Sequence, residues 1–578
     1  MKAVIKLLLI FSLTINFTLL DQSFPYRNVM YYGESSIYTG QKKFYPSNID
    51  IKSISHLAFA FLDMDSNGDL VLGDEYADFK TASLPELKGI KFGAPYAGIF
   101  GEIAILKVKY PHLRGGISVG GPEKSGYFSE IVRDIVKRQN FVVNIVKFMD
   151  YLGYDFIDIY WDYPTIIKQS YSNEKGEIIN EVSSGSPEDT ENFTLLLQEI
   201  RNELIKVGNP IGKTFELSVA LSASPELMSK IEYDRILDIV DFANLMTFDL
   251  NGGWNSYTGH QTPLYTNEAY NNETMLDAKN SVDNCIKYLE ETYGNLIDMK
   301  KILIGVAPYT RAWSGVKNNG LDKGNPGLYA SAIPNSVKSA DGKNSGIYGF
   351  EDIPYLIKQY ELIQYFDNKA KAAYYYSPTT RYFFSCDNEE SIAAKGKYVK
   401  EKGLGGLVAW MASYDRDNTI TRAMFHSLFD DGYSFPEQDM TKKYSLISIS
   451  AKITETETGY EIGIQNNAIL EETNPALKNA EVFRKNIYNM IVYIKSKRGA
   501  VFFAGPKSGT VTNKDGLARV DPSSNEGAQI IPTRWQSYYF KVHVSGIPDK
   551  NDIYSISVSQ RILPNLDEFK ERVVYYNP

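Results

Sequence analysis

A chain of 578 residues, 43% hydrophobic and 23% charged, is too long for one ordinary domain and has the composition of a soluble globular protein. Its formal net charge of −9, without a long Lys/Arg run, excludes nucleic acid or anionic lipid as the main partner, because phosphate binding needs concentrated basic surface. The 42 tyrosines and 29 phenylalanines would suit the apolar faces of sugars, but core packing accounts for most such rings, so composition names no ligand.

Residues 1–20 set Lys2 and Lys6 around the start of an apolar run from Leu7 to Leu20, the form of a secretory signal. The run is short for a membrane span, yet no small-x-small cleavage site stands out near Asp21, so an uncleaved anchor stays open. The expectation is a secreted or extracellular protein, with the periplasm as the alternative, and no membrane span once the signal is cleaved. From Arg27 to about Phe429, β-branched runs alternate with amphipathic stretches. Expected strands are Val29–Tyr32, His56–Leu62, Gly115–Val119, Phe156–Trp161, Glu216–Ala220, Phe242–Thr247, Lys301–Ala307 and Gly406–Trp410, with helices such as Asn140–Leu152 and Glu191–Lys206 between them. Eight such strands predict a closed parallel (β/α)8 TIM barrel, whose active face lies at the strands' C-terminal ends. Those ends carry Ser118 to Gly121, Asp162, Asp249, Tyr309 with Arg311, and Trp410.

After Phe429 the character changes. SFPEQD at 434–439 reads as a linker, and 440–578 as an all-β, sandwich-like domain, because Ile462 and Ile464, then Tyr538, Phe540, Val542 and Val544, alternate with polar neighbours between recurring glycines. Trp535, Tyr538 and Tyr539 there form either a sugar platform or ordinary packing, and the domain could also receive a protein partner. Cys285 and Cys386 form one bridge or remain two buried thiols. Asn192 and Asn272 sit in N-x-Thr sequons. The five histidines show no paired metal spacing, and no phosphate-cradling or dinucleotide loop follows a strand, so neither metal nor cofactor is expected.

GYDFIDIYWDYP at 153–164 carries the chemistry. In a strand, side chains alternate faces, so Asp158, Tyr160 and Asp162 share one wall and Ile157, Ile159 and Trp161 the other. The segment resembles the fourth-strand DGxDxDxE motif of the family 18 glycoside hydrolases, the chitinases and their non-catalytic relatives. HLAFAFLDMDSNGDL at 56–70, LRGGISVGG at 113–121, NLMTFDLNGGW at 244–254, KILIGVAPYTRAW at 301–313 and GLGGLVAWMASYD at 403–415 resemble further barrel motifs in the same order, over about residues 27–430. Residues 312–372, with GIYGFEDI at 346–353, resemble the small α+β insertion that walls the cleft in many chitinases.

The resemblance implies a substrate-assisted retaining mechanism in which one protein carboxylic acid suffices, because the sugar's own N-acetyl oxygen attacks the anomeric carbon. Asp162 stands where the family has glutamic acid, shortening its reach by about 1–1.5 Å, and displacement of this order matters to catalysis. Tyr160 replaces the middle aspartate, so only burial can keep Asp162 protonated near neutrality. Phe248 replaces the tyrosine that would hold the acetamide. Asp249, Met246, Tyr309, Arg311, Trp254 and Trp410 match positions lining the sugar cleft, with Trp410 as its floor; Asp155 and Asp158 are read as mainly structural, although Asp158 belongs to the catalytic motif. The three departures predict a secreted protein that binds chitin or N-acetylglucosamine-containing glycans with absent or strongly reduced hydrolysis. The alternatives are an active chitinase or acetamido-sugar hydrolase with Asp162 as general acid, and a scaffold with a vestigial cleft.

Overall fold

The computed structural model describes residues 24–436 except 39–42, 80–97, 166–168, 173–177, 183–184, 209–213, 268–279, 318–323, 340–341 and 344, and beyond them the backbone of eight further strands. The expected leader at 1–20, the sequon at Asn272 and Trp535 lie outside the described residues; for Tyr538 and Tyr539 only the backbone is described.

The eight expected strands all form: β1 (Arg27–Gly33), β2 (His56–Met64), β3 (Arg114–Gly120), β4 (Phe156–Tyr160), β5 (Glu216–Ser222), β6 (Phe242–Met246), β7 (Ile302–Val306) and β8 (Gly406–Ala409). Each pairs in parallel with the next, and β8 returns to β1 through Arg27↔Gly406, which closes the barrel. The alternation read from β4 holds. Ile157, Ile159 and Trp161 enter the main core beneath the outer helices, with the Trp161 indole stacked 5.3 Å from Phe128, while Phe156 and Tyr160 pack inside the barrel.

Outer helices cover the strands as their apolar spacing dictates. Helix Asp189–Gly208 buries Phe193, Leu196, Leu197, Ile200 and Leu204, one stripe at three- and four-residue spacing. Helix Ile135–Tyr151 starts earlier than the expected Asn140 because the Asp134 carboxylate accepts from the backbone N–H groups of Val136 and Lys137, capping the first turn. Glycine is demanded twice on β3. A Cβ on Gly116 would lie 2.4 Å from the Phe156 ring, and Gly120 has φ +101°, which turns the chain away at the active end.

The barrel interior is layered. At the N-terminal end, Glu216 meets Arg27 at 2.9 Å, His56 at 2.8 Å and Arg114 at 2.7 Å, so four strands begin on one buried ion cluster. Burial alone would raise the Glu216 pKa, but Arg114, then His56 and Arg27, hold it well below the usual range; burial in turn pushes His56 down to about 4. His56 is therefore neutral at pH 7, and its Nε2–H donates to Glu216.

Between β7 and β8 the expected insertion is present. Antiparallel strands Arg311–Trp313, Phe383–Ser385, Ala372–Tyr376 and Ile363–Asp367 form its sheet in that order, with helix Ile353–Tyr360 alongside. The sheet runs to Ser385, past the expected limit at 372, because Phe383 and Tyr374 complete the apolar cluster around Trp313. Beyond 440, strands Ile449–Thr456, Gly459–Asn466 and Tyr538–Val544 make one antiparallel sheet and five others a second, as the alternating pattern implies. Cys285 and Cys386 are both buried and unbridged, which settles the open alternative in favour of two thiols. Among the described residues, no helix is long and apolar enough to cross a membrane, and no group of three or more His, Cys, Asp or Glu is placed to hold a metal ion.

Candidate active site

The strand ends converge on a cavity of about 290 Å³ lined by Tyr160 at the end of β4 and Asp162 just beyond it, Ser222 of β5, and Met246, Phe248, Asp249 and Trp254 in and after β6. Six of the residues singled out in the sequence thus share one wall system: Tyr160, Asp162, Met246, Phe248, Asp249 and Trp254.

Asp158 lies below this cavity, fully buried. Ser118 and Ser218 donate to it at 2.6 Å each, Tyr31 at 2.7 Å and the Asn244 amide at 3.3 Å. Burial raises its pKa while those four donors oppose the rise. It ties β1, β3, β4, β5 and β6 together beneath the reacting centre. Asp155 is likewise structural: it pairs with Lys107 at 2.6 Å and accepts from the Gly115 backbone at 3.0 Å.

Tyr160 fills the level above, nearly buried, its ring 5.6 Å from Phe61. Asp162 comes next, held from behind by its own backbone N–H, which donates to Ser125 Oγ at 3.0 Å. Burial pushes its carboxyl up to about 6, and a hydrogen bond from Tyr163 draws it part of the way back. An acid in that range is substantially protonated in mildly acidic solution and can give its proton up.

Asp249 has φ +54°, a left-handed conformation that aspartate tolerates, and its carboxylate accepts two parallel bonds from Arg311 at 2.7 and 2.6 Å. Burial disfavours the guanidinium charge, but Asp249 outweighs it and keeps Arg311 above its ordinary range. Arg311 also lies over the Trp254 and Tyr309 rings, 5.2 and 5.6 Å from their centroids. It braces Trp254, which is 46% exposed and presents an indole face to solvent. Phe248 brings no hydroxyl; its ring sits against Gly305 and 6.3 Å from Tyr309.

Trp410 is not part of that cavity wall. It lies across the barrel mouth, stacked on Phe61 at 5.2 Å with 10° between planes, and 5.7 Å from Tyr31. Through Phe61 it joins Tyr160, so floor and acid are linked by one aromatic row. Sequence reasoning did not single out Phe61, Tyr163 or Ser222. Tyr163 stood inside the quoted motif; Ser222 ends β5 two residues past the expected strand Glu216–Ala220, and nothing in the sequence marked it.

The family model described as Glycosyl hydrolases family 18 matches residues 27–415. Chitinase A1 of Niallia circulans is 29% identical over 470 residues, 79% of this chain, which spans 62% of that protein's length. Endochitinase 1 of Metarhizium robertsii is 28% identical over 394 residues, covering 68% of this chain and 82% of the relative. A solved chitinase from Bacillus thuringiensis superposes with a TM-score of 0.61 at 22% identity, over 92% of this chain and 100% of its own, a likeness of fold. These matches overturn the expectation of a cleft with absent or strongly reduced hydrolysis, since the relatives matching along the barrel are named chitinases and endochitinases. The physical reason is burial: the loss of a carboxylate neighbour at Tyr160 is visible in the sequence, whereas the desolvation that raises Asp162 is a property of the folded cavity.

Proposed function

Because this chain belongs to the glycosyl hydrolases of family 18, we propose that it is an active chitinase that cleaves chitin or related N-acetylglucosamine glycans with Asp162 as general acid. The observation that carries this reading is a single buried carboxyl of raised pKa, facing a cavity flanked by an exposed indole. In the retaining route, the acetamido oxygen of the sugar attacks its own anomeric carbon while the Asp162 O–H protonates the departing glycosidic oxygen. The C–O bond breaks, leaving a cyclic oxazolinium ion and an Asp162 carboxylate. That carboxylate then takes a proton from water as the water oxygen attacks the anomeric carbon and the bond from that carbon to the acetamido oxygen breaks, which restores the acetamide, the acid and the original configuration. Asp158 holds the strands in place below, Asp249 and Arg311 brace the cleft wall, and Trp254 and Trp410 offer ring faces to the sugars. Asp162 is one methylene shorter than the family's glutamic acid, so the scissile bond must sit about 1 Å deeper toward Tyr160 than it would for the longer acid.

Two results test this. Asp162 must be protonated to act, so kcat is expected to fall as pH rises through about 6, measured with a fluorogenic chitooligosaccharide. A rate that keeps climbing to pH 9 would remove Asp162 from the role. Trp254→Ala is expected to raise KM about three- to tenfold with a smaller change in kcat, the loss of one ring–sugar contact. The leader-like residues 1–20 support secretion, and comparing the N-terminus of exported and intracellular protein by mass spectrometry tests that part.

A further inference from the structure

Asp162 stands past the last rung of its strand: β4 pairs with β3 as far as Gly120↔Tyr160, and with β5 only as far as Ile159↔Val219. Neither ladder reaches the Asp162 N–H, and a backbone donor in a buried residue needs a partner. Ser125, buried in the loop after β3, supplies it. Its Oγ accepts the Asp162 N–H at 3.0 Å and donates to Gly121 O at 2.7 Å, with Tyr160 O as a second acceptor at 3.1 Å. One hydroxyl thus joins the backbone on both sides of Trp161 to the turn at Gly121, whose own N–H donates to Tyr160 O at 2.8 Å. The far end of the acid's segment is pinned separately. Asp189 accepts from the Thr165 N–H at 3.3 Å and from Ser129 Oγ at 2.8 Å. Ser125 therefore holds the acid's own residue, while Ser129 acts only through Asp189 and further along the chain.

We propose that Ser125 is the positioning residue of the catalytic acid, fixing the Asp162 backbone so that the shortened carboxyl meets the scissile oxygen. The inference rests on Asp162 being the acid. A glutamate could absorb a backbone shift by rotating its additional side-chain bond. An aspartate turns only about χ1 and χ2, so its carboxyl follows its Cα. A displacement of about 1 Å costs on the order of a hundredfold in rate. The hydrogen bonds of Ser125 go to backbone atoms. It therefore sets where the acid stands and not how tightly the acid holds its proton.

The test compares Ser125→Ala, Ser125→Thr, Ser129→Ala and Asp162→Asn with the parent in pH–rate profiles on a fluorogenic chitooligosaccharide, each protein checked for folding by circular dichroism. Ser125→Ala should lower kcat about ten- to a hundredfold while KM stays within about twofold. Its basic limb should stay near pH 6, because the carboxyl remains buried. Ser125→Thr keeps the hydroxyl and should recover most of the rate. Ser129→Ala removes a buried bond of the same loop, so it should melt lower yet keep kcat within about threefold. A kcat in Ser125→Ala no lower than in Ser129→Ala overturns the inference, since general loosening would then explain both. A folded Ser125→Thr as slow as Ser125→Ala overturns it too. So does a basic limb that moves down toward about pH 4, which would mean that water has entered the cavity. If Ser125→Ala does not fold, Ser125→Cys decides alone: its thiol is a weak acceptor, and parental kcat there overturns the inference. Asp162→Asn separates the two layers. Its retention of parental activity would sink the reading of Asp162 as the acid, whereas its inactivity beside parental kcat in Ser125→Ala sinks only the role of Ser125.

Discussion

Asp162→Asn is expected to lower kcat on chitooligosaccharides by about a hundred- to ten-thousandfold while leaving their affinity nearly unchanged. The amide keeps the size and polarity of the carboxylic acid but has no proton to give the leaving oxygen. Trp254, Arg311 and Asp249 are untouched, so calorimetric binding of a chitooligosaccharide should persist. The same substitution is expected to stabilise the fold at pH 7. A carboxyl whose pKa rises from 3.8 unfolded to about 6 folded burdens the native state once ionised, and this stability is lost as pH climbs from about 4 to 6. The full linkage amounts to about 2–3 kcal/mol. Asp162→Asn should thus melt higher than the parent at pH 7 and lose that advantage near pH 4, a crossover visible by calorimetry. An active site that carries such a burden is what an acid held protonated by burial requires.

Glu216→Gln is expected to be among the most destabilising single substitutions in the barrel, by about 3–5 kcal/mol at pH 7. It strips the counter-charge from Arg27 and Arg114 where both are already desolvated, and His56 loses an anionic acceptor. Spread over a barrel of this size, the loss corresponds to a melting point lower by about 4–6 °C. The cluster also sets acid sensitivity. Glu216 has a depressed pKa, so its contribution is present above the unfolded carboxylate range and is lost as pH falls below it. His56, down at about 4 from 6.5, contributes in the same sense: the unfolded chain takes up its proton first as pH falls, and stability drops between about 6.5 and 4. Glu216→Gln should therefore flatten the acid limb of the melting curve as well as lower its plateau. An unchanged melting point at pH 7 would mean that the arginines find other partners.

Much of the barrel is legible in the sequence because each strand had to be apolar on one face and fit the parallel register. Ile157, Ile159 and Trp161 declare their outward face by alternation alone, and Asp162 its place at the active end by ending that run. The ion cluster is not legible. Arg27, His56, Arg114 and Glu216 each stand at the start of a different strand, and only barrel closure brings them onto one carboxylate. Tyr163 and Ser222 are hidden for the same reason, since the loop after β4 and the end of β5 come to one cavity only when the barrel is assembled. The pKa of Asp162 is hidden more deeply still. Its neighbours in the motif argue for an isolated, ordinary carboxyl, while desolvation in the assembled cavity makes it a weaker acid. The insertion's end was placed short because Phe383 and Phe384 return to a sheet begun some seventy residues earlier in the chain at Arg311.

The most direct measurement is proton NMR of chitotetraose incubated with the full-length protein at mildly acidic pH, with Asp162→Asn alongside. Turnover by the parent, with the β-anomer of the new reducing end appearing first and its mutarotation following, is the result expected of substrate-assisted retention through Asp162. No turnover above the Asp162→Asn background, or an α-anomer formed first, would contradict it.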